Sequence, residues 1–569
     1  MWRVRSPADG AVSAGTETHL DPTVTRAPLD AEDTTSRDSV LVSGGTAIAR
    51  LTGVARVVII GAVLGPTTFG NAFQITNSLP NLIYYGFLAG SLVSTLLVPV
   101  LVRHLVAGDA ATVPTVARGF LGLALAGTAA TLPVMVLGLP WLLHLASSGT
   151  PVPTADEQVR LVTVLAMLTA PQVILYAVAG TGAAVMYAHR RFALPACAPA
   201  LENIGLIIVL GVCAATYGVR SEGETVPLGE LLLLGLGATA AVGLHAGVQW
   251  WGAYRCGVTL KPALGWAVPE VRAIVARAVR SMTQAGLLAA QTVAMLVVMA
   301  RVPGGVVALQ IALNFYFLPL ALVATPVGLA VLPRLARLYH RGELATFWDA
   351  YARGVMLALF LVVPASAGYV AVAQPIARVV GVGQMATPHG YDLIAQALAM
   401  LSLGLAGAAV FFISTQASYA RDDARRPLRS MAVQTVVCLL LIGLAVAFTS
   451  DATLVRAVAA AYAVGCLVGA MHLFATVTAG ARTAARSCLR AAGRVLIGTV
   501  AMLPALIAVV LTVPHLVPGR PGSLLAVVGG TLSGALVFGG VQALFRAPEL
   551  SWLRSAFRSR DAAMGVGAS

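Results

Sequence analysis

The amino-acid sequence predicts an all-α integral membrane protein with about fourteen transmembrane helices. We expect two six-helix lobes related by a parallel pseudo-two-fold repeat, plus two extra C-terminal helices. Of the 569 residues, 58% are hydrophobic and only 11% are charged, against about 45–50% and about 25% in soluble domains. The apolar residues form long runs, and the ends of these runs repeat along the chain. This composition excludes a soluble globule, a secreted disulfide scaffold, a coiled coil and a disordered chain.

Each apolar run is long enough to cross a bilayer, for which a helix needs about 20 residues. The runs do not alternate polar and apolar residues, as the strands of a membrane barrel do. Backbone polar groups in lipid must be paired within their own segment, so we expect helices. The fourteen predicted spans cover residues 40–64, 71–102, 114–146, 159–188, 192–217, 227–254, 273–300, 304–333, 348–373, 391–420, 428–449, 453–478, 488–513 and 523–545.

Polar segments flank the predicted spans. Residues 1–39 hold four arginines and seven acidic residues, and no apolar segment follows Met1, so this segment is not a signal peptide. We predict a disordered cytoplasmic tail at residues 1–39 and a second cytoplasmic tail at 547–569.

The positive charges predict the orientation of the chain in the membrane. The net charge is +14, which in a soluble protein would suggest nucleic-acid binding. If both termini are cytoplasmic, the inner connections and the C-terminal tail carry 24 basic residues and the outer connections carry 6. This asymmetry is what the positive-inside rule describes. We therefore predict an even number of spans with both termini inside, and no nucleic-acid partner.

An internal repeat divides the chain. Two pairs of residues at inner helix ends recur with the same internal spacing, at offsets of 234 and 232 residues. Arginine and proline are common at such ends, so either match alone would be weak. The matching pairs are Pro99–Arg103 with Pro333–Arg337, and Tyr187–Pro195 with Tyr419–Pro427.

The repeat predicts the domain organisation. We assign residues 40–255 to an N-lobe, 256–480 to a C-lobe and 481–546 to the extra helix pair. Six helices return the chain to its starting side, so the two lobes have parallel topology. Transporters of this plan bind substrate between lobes that rock to alternate access, although this step is an analogy of fold.

Two arginines stand inside the first predicted span. A charge at the centre of a spanning helix costs roughly 2.5–3.5 kcal/mol and usually faces protein or water. Arg50 and Arg56 are six residues apart, which places them about 120° apart around the helix and about 9 Å apart along it, with Gly53 between them. They could converge on one anionic group such as a phosphate. Alternatively, Arg50 extends to the inner surface and Arg56 pairs with a structural partner.

The fifth predicted span contains an acidic residue, Glu202, which is followed directly by Asn203. An acid in a membrane helix is a candidate proton carrier, cation carrier or counter-ion for an arginine. The alternative is a protonated glutamic acid that hydrogen-bonds between helices.

Several amides lie in other spans. Asn81 in the second, Asn314 in the eighth and Gln291 in the seventh are candidates for lining a substrate cavity. Interhelical hydrogen bonding is the commoner role of such amides.

Other chemistry is not indicated. The cysteines and histidines show no metal-ligand spacing, and no Gly-rich phosphate loop is present, so we expect no metal, no cofactor and no nucleotide-driven transport. The adjacent acids Asp422 and Asp423 are flanked by arginines and indicate a loop ion-pair cluster. We therefore do not expect an enzyme.

Seven segments together resemble the MurJ/MviN proteins, the bacterial lipid II flippases of the multidrug/oligosaccharidyl-lipid/polysaccharide exporter superfamily. The resemblance covers the first twelve predicted helices in register. The segments are Ser43–Thr46 with Arg50 and Arg56, Phe69–Phe73, Leu79–Leu82, Val98–Leu101, Arg191–Pro199, Leu332–Leu335 and Tyr419–Asp423.

The resemblance implies two lobes in a V around a cationic cavity, with a groove for the lipid tail at the last two helices. It implies a flippase in the bacterial cytoplasmic membrane that moves lipid II, the undecaprenyl-diphosphate-linked peptidoglycan precursor. It also implies that Arg50 and Arg56 meet the diphosphate. The implied partners are this anionic lipid-linked substrate, membrane lipids and, as candidates, cell-wall synthesis proteins.

The sequence departs from the family pattern at several cavity positions. Basic residues of the family are replaced by Tyr84 and Tyr85 in the second helix and by Asn314 in the eighth. Acidic residues are replaced by Val57 and Ala89. These departures leave open an alternative function, the export of another polyprenyl-linked glycan or a hydrophobic metabolite by the same fold.

Overall fold

The computed structural model describes residues 30–84, 96–146 and 152–552, with side chains at 44–84, 96–145, 156–266, 268–275, 283–450 and 453–552. This part of the chain is helical and contains no strand. Its α-helices are α1 (Asp30–Leu64), α2 (Thr68–Ile83), α3 (Val98–Val106), α4 (Thr112–Pro133), α5 (Leu139–Ala146), α6 (Val152–Thr169), α7 (Pro171–Ala188), α8 (Ala193–Tyr217), α9 (Leu228–Arg255), α10 (Pro269–Met299), α11 (Gly305–Pro319), α12 (Thr325–His340), α13 (Leu344–Val380), α14 (Pro388–Ser402), α15 (Leu405–Tyr419), α16 (Arg425–Phe448), α17 (Asp451–Thr478), α18 (Arg482–Leu516) and α19 (Gly519–Leu544).

The described residues contain fewer membrane-length helices than the fourteen spans predicted. In the described residues, eleven helical segments are long and apolar enough to cross a membrane, and twelve if the bent pair α14 and α15 is one span. The second predicted span contains residues 85–95, which lie outside the described residues. In the seventh predicted span the side chains of residues 276–282 lie outside the described residues, and the apolar helix that follows is Thr283–Met299. The count of fourteen is therefore not confirmed.

Prolines mark the interruptions within single spans. A π-helical turn at Val134–Gly138 follows Pro133, and another at Leu320–Ala324 follows Pro319. Proline cannot donate the backbone hydrogen bond that a regular α-helix requires, so the chain widens or breaks there.

The internal repeat has a structural signature. Arg190 and Asp422 are 232 residues apart, and both have φ of 56°, in the left-handed region that non-glycine residues seldom adopt. Their amides donate to the carbonyl three residues earlier, Tyr187 and Tyr419, at 3.1 and 3.0 Å. The helix break at Ala170 recurs near Leu403 at a similar offset. The two halves therefore share local backbone geometry as well as spacing.

The helices pack as two bundles and an extra pair. Within the N-lobe (α1–α9), α8 packs against α1 and α9, and α9 also packs against α7. Within the C-lobe (α10–α17), α17 packs against α15 and α16. The C-terminal pair, α18 and α19, packs on α13.

The described residues include part of each predicted tail, at 30–39 and 547–552. Helix α1 is described from Asp30. Residues 1–29 and 553–569 lie outside the described residues.

The C-terminal end of the described chain is held by a buried ion pair. Arg494 on α18 donates to both carboxylate oxygens of Glu549, at 2.7 and 2.8 Å. The Glu549 side chain has no exposure and that of Arg494 is 25% exposed. Residues up to 552 are thus anchored rather than part of a free tail.

We expect Arg494→Ala to lower the free energy of unfolding by about 3–5 kcal/mol, because it leaves the buried Glu549 carboxylate without its partner. The melting temperature of the purified protein in detergent measures this loss. Arg490→Ala is the matched control, since Arg490 is exposed on the same helix. Equal melting temperatures for the two variants would contradict the prediction.

Candidate functional site

Helix α1 is held against α8 by small residues and one amide. A Cβ added to Gly45 would lie 2.8 Å from Cys197 Sγ, so no larger residue fits there without a shift. Asn203 donates from Nδ2 to the Ala49 carbonyl at 3.2 Å and to the Thr52 hydroxyl at 3.1 Å. This contact orients α1 and determines which of its side chains face the N-lobe interior.

Arg56 and Glu202 meet at this contact. Arg56 Nη1 donates to Glu202 Oε1 at 3.4 Å, with the arginine side chain 17% exposed and the glutamate 6%. Arg56 Nε is buried and has no hydrogen-bond partner in the described residues. The structure thus brings together two predicted site residues in a single long contact that leaves most donors of Arg56 unused.

Arg50 lies in different surroundings. It is exposed, and it forms no ion pair with any carboxylate of the described chain. Being six residues before Arg56, it lies about 9 Å nearer the N-terminal end of α1. One of the two predicted arginines is therefore paired, and the other has no carboxylate partner among the described residues.

Two residues not singled out from the sequence complete the environment of Glu202. Tyr176 on α7 donates its hydroxyl to Oε1 at 2.8 Å, and His245 Nδ1 on α9 lies 2.8 Å from Oε2. With Glu202 ionised, its carboxylate only accepts hydrogen bonds, and Nδ1 is then the donor of this bond. We name Arg56, Tyr176, Glu202 and His245 the buried cluster.

Aromatic rings enclose the buried cluster. Tyr84 stacks on Tyr176 with ring centroids 4.6 Å apart. Both rings are nearly perpendicular to the His245 imidazole, at 6.1 and 6.2 Å. Tyr84, which replaces a basic residue of the family pattern, therefore serves as a wall of this cluster. The only sequence signal for His245 is a lone histidine in a long apolar run, which more often indicates packing.

A polar seam joins the two lobes along α2 and α11. Gln310 donates to Ser78 Oγ at 2.9 Å, and Gln74 donates to the same oxygen at 3.2 Å. Asn314, one turn after Gln310, donates to the Gln310 carbonyl at 2.8 Å. Asn81 lies one turn after Ser78 and is half-buried. The predicted residues Asn81 and Asn314 thus belong to facing helices of different lobes.

The lobes are also joined at the ends of the helices predicted to lie outside. We call this contact the outer junction (residues 65–71, 300–306 and 383–385). Asn71 donates to the Val302 carbonyl at 2.7 Å and accepts from the Val306 amide at 3.0 Å. Gln384 donates to the Val63 carbonyl at 2.7 Å. The lobes are therefore in close contact at this side.

Gln291 lies apart from the other predicted site residues. It is fully buried and donates to Thr435 Oγ1 at 2.8 Å, while its oxygen accepts from Gln434 at 3.1 Å. Its amide therefore bonds helices α10 and α16 inside the C-lobe.

A cavity of about 420 Å³ opens at the inner ends of α7, α8 and α9. Its lining includes Arg190, Arg191, Arg255 and Trp251, and Arg255 lies 5.7 Å from the Trp251 ring centre. It contains none of the predicted site residues.

Asp423 has a structural role at the start of α16. Its carboxylate accepts from the amides of Arg425 and Arg426 at 3.0 and 3.2 Å and lies 3.2 Å from Arg426 Nε. These contacts confirm the predicted loop ion pair for Asp423, whereas Asp422 forms no ion pair in the described residues.

Comparisons with known proteins agree on one family. The family model described as lipid II flippase MurJ matches residues 60–528. A probable lipid II flippase MurJ of Rhizobium tropici is 25% identical over 442 residues, covering 77% of this chain and 80% of the relative. The lipid II flippase MurJ of Burkholderia cenocepacia is 24% identical over 415 residues, covering 69% and 75%.

Solved structures show the same fold. A lipid II flippase MurJ in an inward closed conformation matches with a TM-score of 0.67 and 17% identity, covering 89% of this chain and 98% of that chain. An inward-facing multidrug resistance MATE family transporter of the MOP superfamily matches with a TM-score of 0.61 and 14% identity, covering 79% and 99%.

Proposed function

Because the chain belongs to the MurJ family of lipid II flippases, we propose that it carries the undecaprenyl-diphosphate-linked peptidoglycan precursor across the bacterial cytoplasmic membrane by alternating access. Arg50 and Arg56 are the proposed contacts of the diphosphate. No catalysis of bond cleavage is involved, since the cargo changes leaflet and not structure. We also propose cell-wall synthesis proteins as partners of this chain.

The observation that carries this proposal is the incomplete pairing of the two α1 arginines. Arg50 is exposed, and Arg56 has one carboxylate contact at 3.4 Å and a buried unpartnered Nε. A guanidinium in a membrane span is costly unless paired, and its planar donors fit phosphate oxygens bidentately. A diphosphate entering between the lobes can therefore satisfy donors that the protein leaves open.

The contacts between the lobes support an inward-facing state. The outer junction ties the lobes together at the side predicted to face outward, through Asn71 and Gln384. We propose that both termini are cytoplasmic, so cargo enters from the inner leaflet in this state. The polar seam with Asn81 and Asn314 would part during the switch to the outward-facing state. Gln291 would then act by fixing the C-lobe, and α18 with α19 would receive the lipid tail.

We expect this chain to restore growth of a bacterium depleted of its own lipid II flippase. Rescue supports lipid II as the cargo. Failure to rescue despite verified membrane insertion would favour the alternative, a cargo that is another polyprenyl-linked glycan or a hydrophobic metabolite. The departures at Tyr84, Tyr85 and Asn314 are the reason to keep this alternative.

We expect Asn71→Ala to open the outer junction, because it leaves the Val306 amide without its partner and removes one of the two bonds to the Val302 carbonyl, which keeps the bond from the Gly305 amide. Each lost bond costs about 1–3 kcal/mol, enough to raise the population of the outward-open state about tenfold. A Val302→Cys substitution reports this opening through labelling by a membrane-impermeant maleimide, since Val302 is 3% exposed. The matched comparison is the same cysteine variant with Asn71 intact, and unchanged labelling would contradict the expectation.

A further inference from the structure

The charges of the buried cluster balance only while Arg56 stays with Glu202. One guanidinium faces one carboxylate, and the proposed function transfers Arg56 to the diphosphate of the cargo. Glu202 is 6% exposed, so it would be left as a buried carboxylate without a cation. Leaving such a charge unpaired is strongly unfavourable.

His245 is the group that can replace the missing cation. Its Nδ1 is bonded to Glu202 Oε2, while its Nε2 is buried without a hydrogen-bond partner in the described residues. Protonation at Nε2 would make an imidazolium next to Glu202. The imidazole lies at similar distances, 6.1 and 6.2 Å, from the stacked rings of Tyr84 and Tyr176, so these rings shield it without competing for the proton.

Few other ionisable groups face this imidazole. Arg56 approaches from α1, Tyr84 from α2, Tyr176 from α7 and Glu202 from α8. Remaining ionisable residues of the surrounding helices lie toward their ends, where Glu230 pairs with Arg220 and Cys213 contacts Glu230. Among the described side chains these residues are Arg50, Arg118, Asp156, Glu157, Arg160, Tyr187, Cys197, Cys213, Tyr217, Glu230, Tyr254 and Arg255.

We propose that binding of the cargo diphosphate by Arg56 is linked to uptake of one proton by the Glu202–His245 pair. This inference rests on the proposed function. The proton comes from water on the side from which Arg56 is reached, since side-chain exposure falls from 17% at Arg56 to 6% at Glu202 and 0% at His245. It binds His245 Nε2, and it returns to water when the cargo leaves and Arg56 returns to Glu202.

Binding of undecaprenyl-diphosphate-linked N-acetylglucosamine to the purified full chain tests this linkage. The diphosphate diester of this probe does not titrate near neutral pH, so any pH dependence belongs to the protein. We expect the affinity of the wild-type chain to fall as the pH rises, by up to about tenfold per pH unit for one linked proton. A pH indicator in weakly buffered solution should record about one proton taken up per bound probe.

Two variants of the cluster have opposite expected results. His245→Asn keeps a donor near Nδ1 but cannot accept the proton, so its affinity should be low and independent of pH. Glu202→Gln removes the charge that holds Arg56, so its affinity should be high and independent of pH. His472→Asn is the control, because His472 bonds Ser430 at 2.9 Å in the C-lobe, and it should keep the wild-type pH dependence.

The outcomes separate the two proposals. If the wild-type chain binds the probe with the same affinity at every pH and takes up no proton, the linkage is overturned and the proposed function stands. If the wild-type chain binds no probe at any pH, the proposed function and the linkage both fail. If His245→Asn does not fold, the pH-independent tight binding expected of Glu202→Gln still decides the question.

Discussion

Removing the α1 arginines is expected to abolish growth rescue in a flippase-depleted bacterium. Charge-assisted hydrogen bonds contribute roughly 1.5–3 kcal/mol each, so loss of either arginine should weaken diphosphate binding about 10- to 150-fold. Arg50→Ala tests this directly, since Arg50 is exposed and unpaired in the described residues. Its melting temperature should stay unchanged.

Arg56→Ala alone would leave the buried Glu202 carboxylate without a cation. A second substitution must therefore remove the charge of Glu202 as well. The double variant Arg56→Ala/Glu202→Gln removes both charges and should fold while failing to transport. Arg334→Ala is the control, since Arg334 is an exposed arginine at the inner end of α12, and it should rescue growth fully. Normal rescue by both Arg50→Ala and the double variant would refute the diphosphate contact.

The second large effect is expected at Gly304 in the outer junction. Its φ is 76°, and an added Cβ would lie 2.3 Å from the Pro66 Cα of the other lobe. A contact that short with backbone cannot be relieved by rotating a side chain, so Gly304→Ala should hold the lobes apart at this side. Overpacking of this kind costs about 1–3 kcal/mol, so we expect growth rescue to fall and Val302→Cys labelling to rise about tenfold or more.

Gly342→Ala separates this steric effect from backbone strain. Gly342 has a similar φ of 73°, but an added Cβ would meet nothing within 4 Å. Both substitutions therefore cost the strain of a left-handed alanine, about 1–2 kcal/mol, and only Gly304→Ala pushes on the partner lobe. Equal rescue by the two variants would show that close approach at Gly304 is not needed for transport.

The fold class was predictable because the bilayer imposes simple rules on the chain. Apolar length selects helices, and the 232-residue offset between Tyr187 and Tyr419 predicted two similar halves. The matching φ of Arg190 and Asp422 and the family match both agree with that prediction. The number of spans stays a prediction, because residues 85–95 of the second predicted span and the side chains of 276–282 in the seventh lie outside the described residues.

The charged residues of the candidate site were predictable, because a charge inside the membrane is energetically costly. Arg56 and Glu202 were each identified because an ionised side chain in a membrane span is costly and is usually paired or functional. Their pairing could not be predicted, because it depends on how α1 packs on α8. His245 and Tyr176 gave no comparable signal, since a neutral imidazole or phenol is tolerated in a helix core. The seam residues Gln310 and Ser78 were missed because single polar residues become informative only when the facing helix is known.

Transbilayer movement of the lipid-linked precursor, measured in vesicles that contain the purified protein, tests whether this chain is a lipid II flippase that uses Arg56. A fluorescent undecaprenyl-diphosphate-linked peptidoglycan precursor is placed in both leaflets, and the fraction quenched by a membrane-impermeant reagent is followed with time. The account predicts that the wild-type chain exposes nearly all of the precursor to the quencher, while Arg56→Ala/Glu202→Gln exposes only the half already in the outer leaflet. Equal exposure for the two proteins, or none beyond the outer leaflet with wild-type, would contradict it.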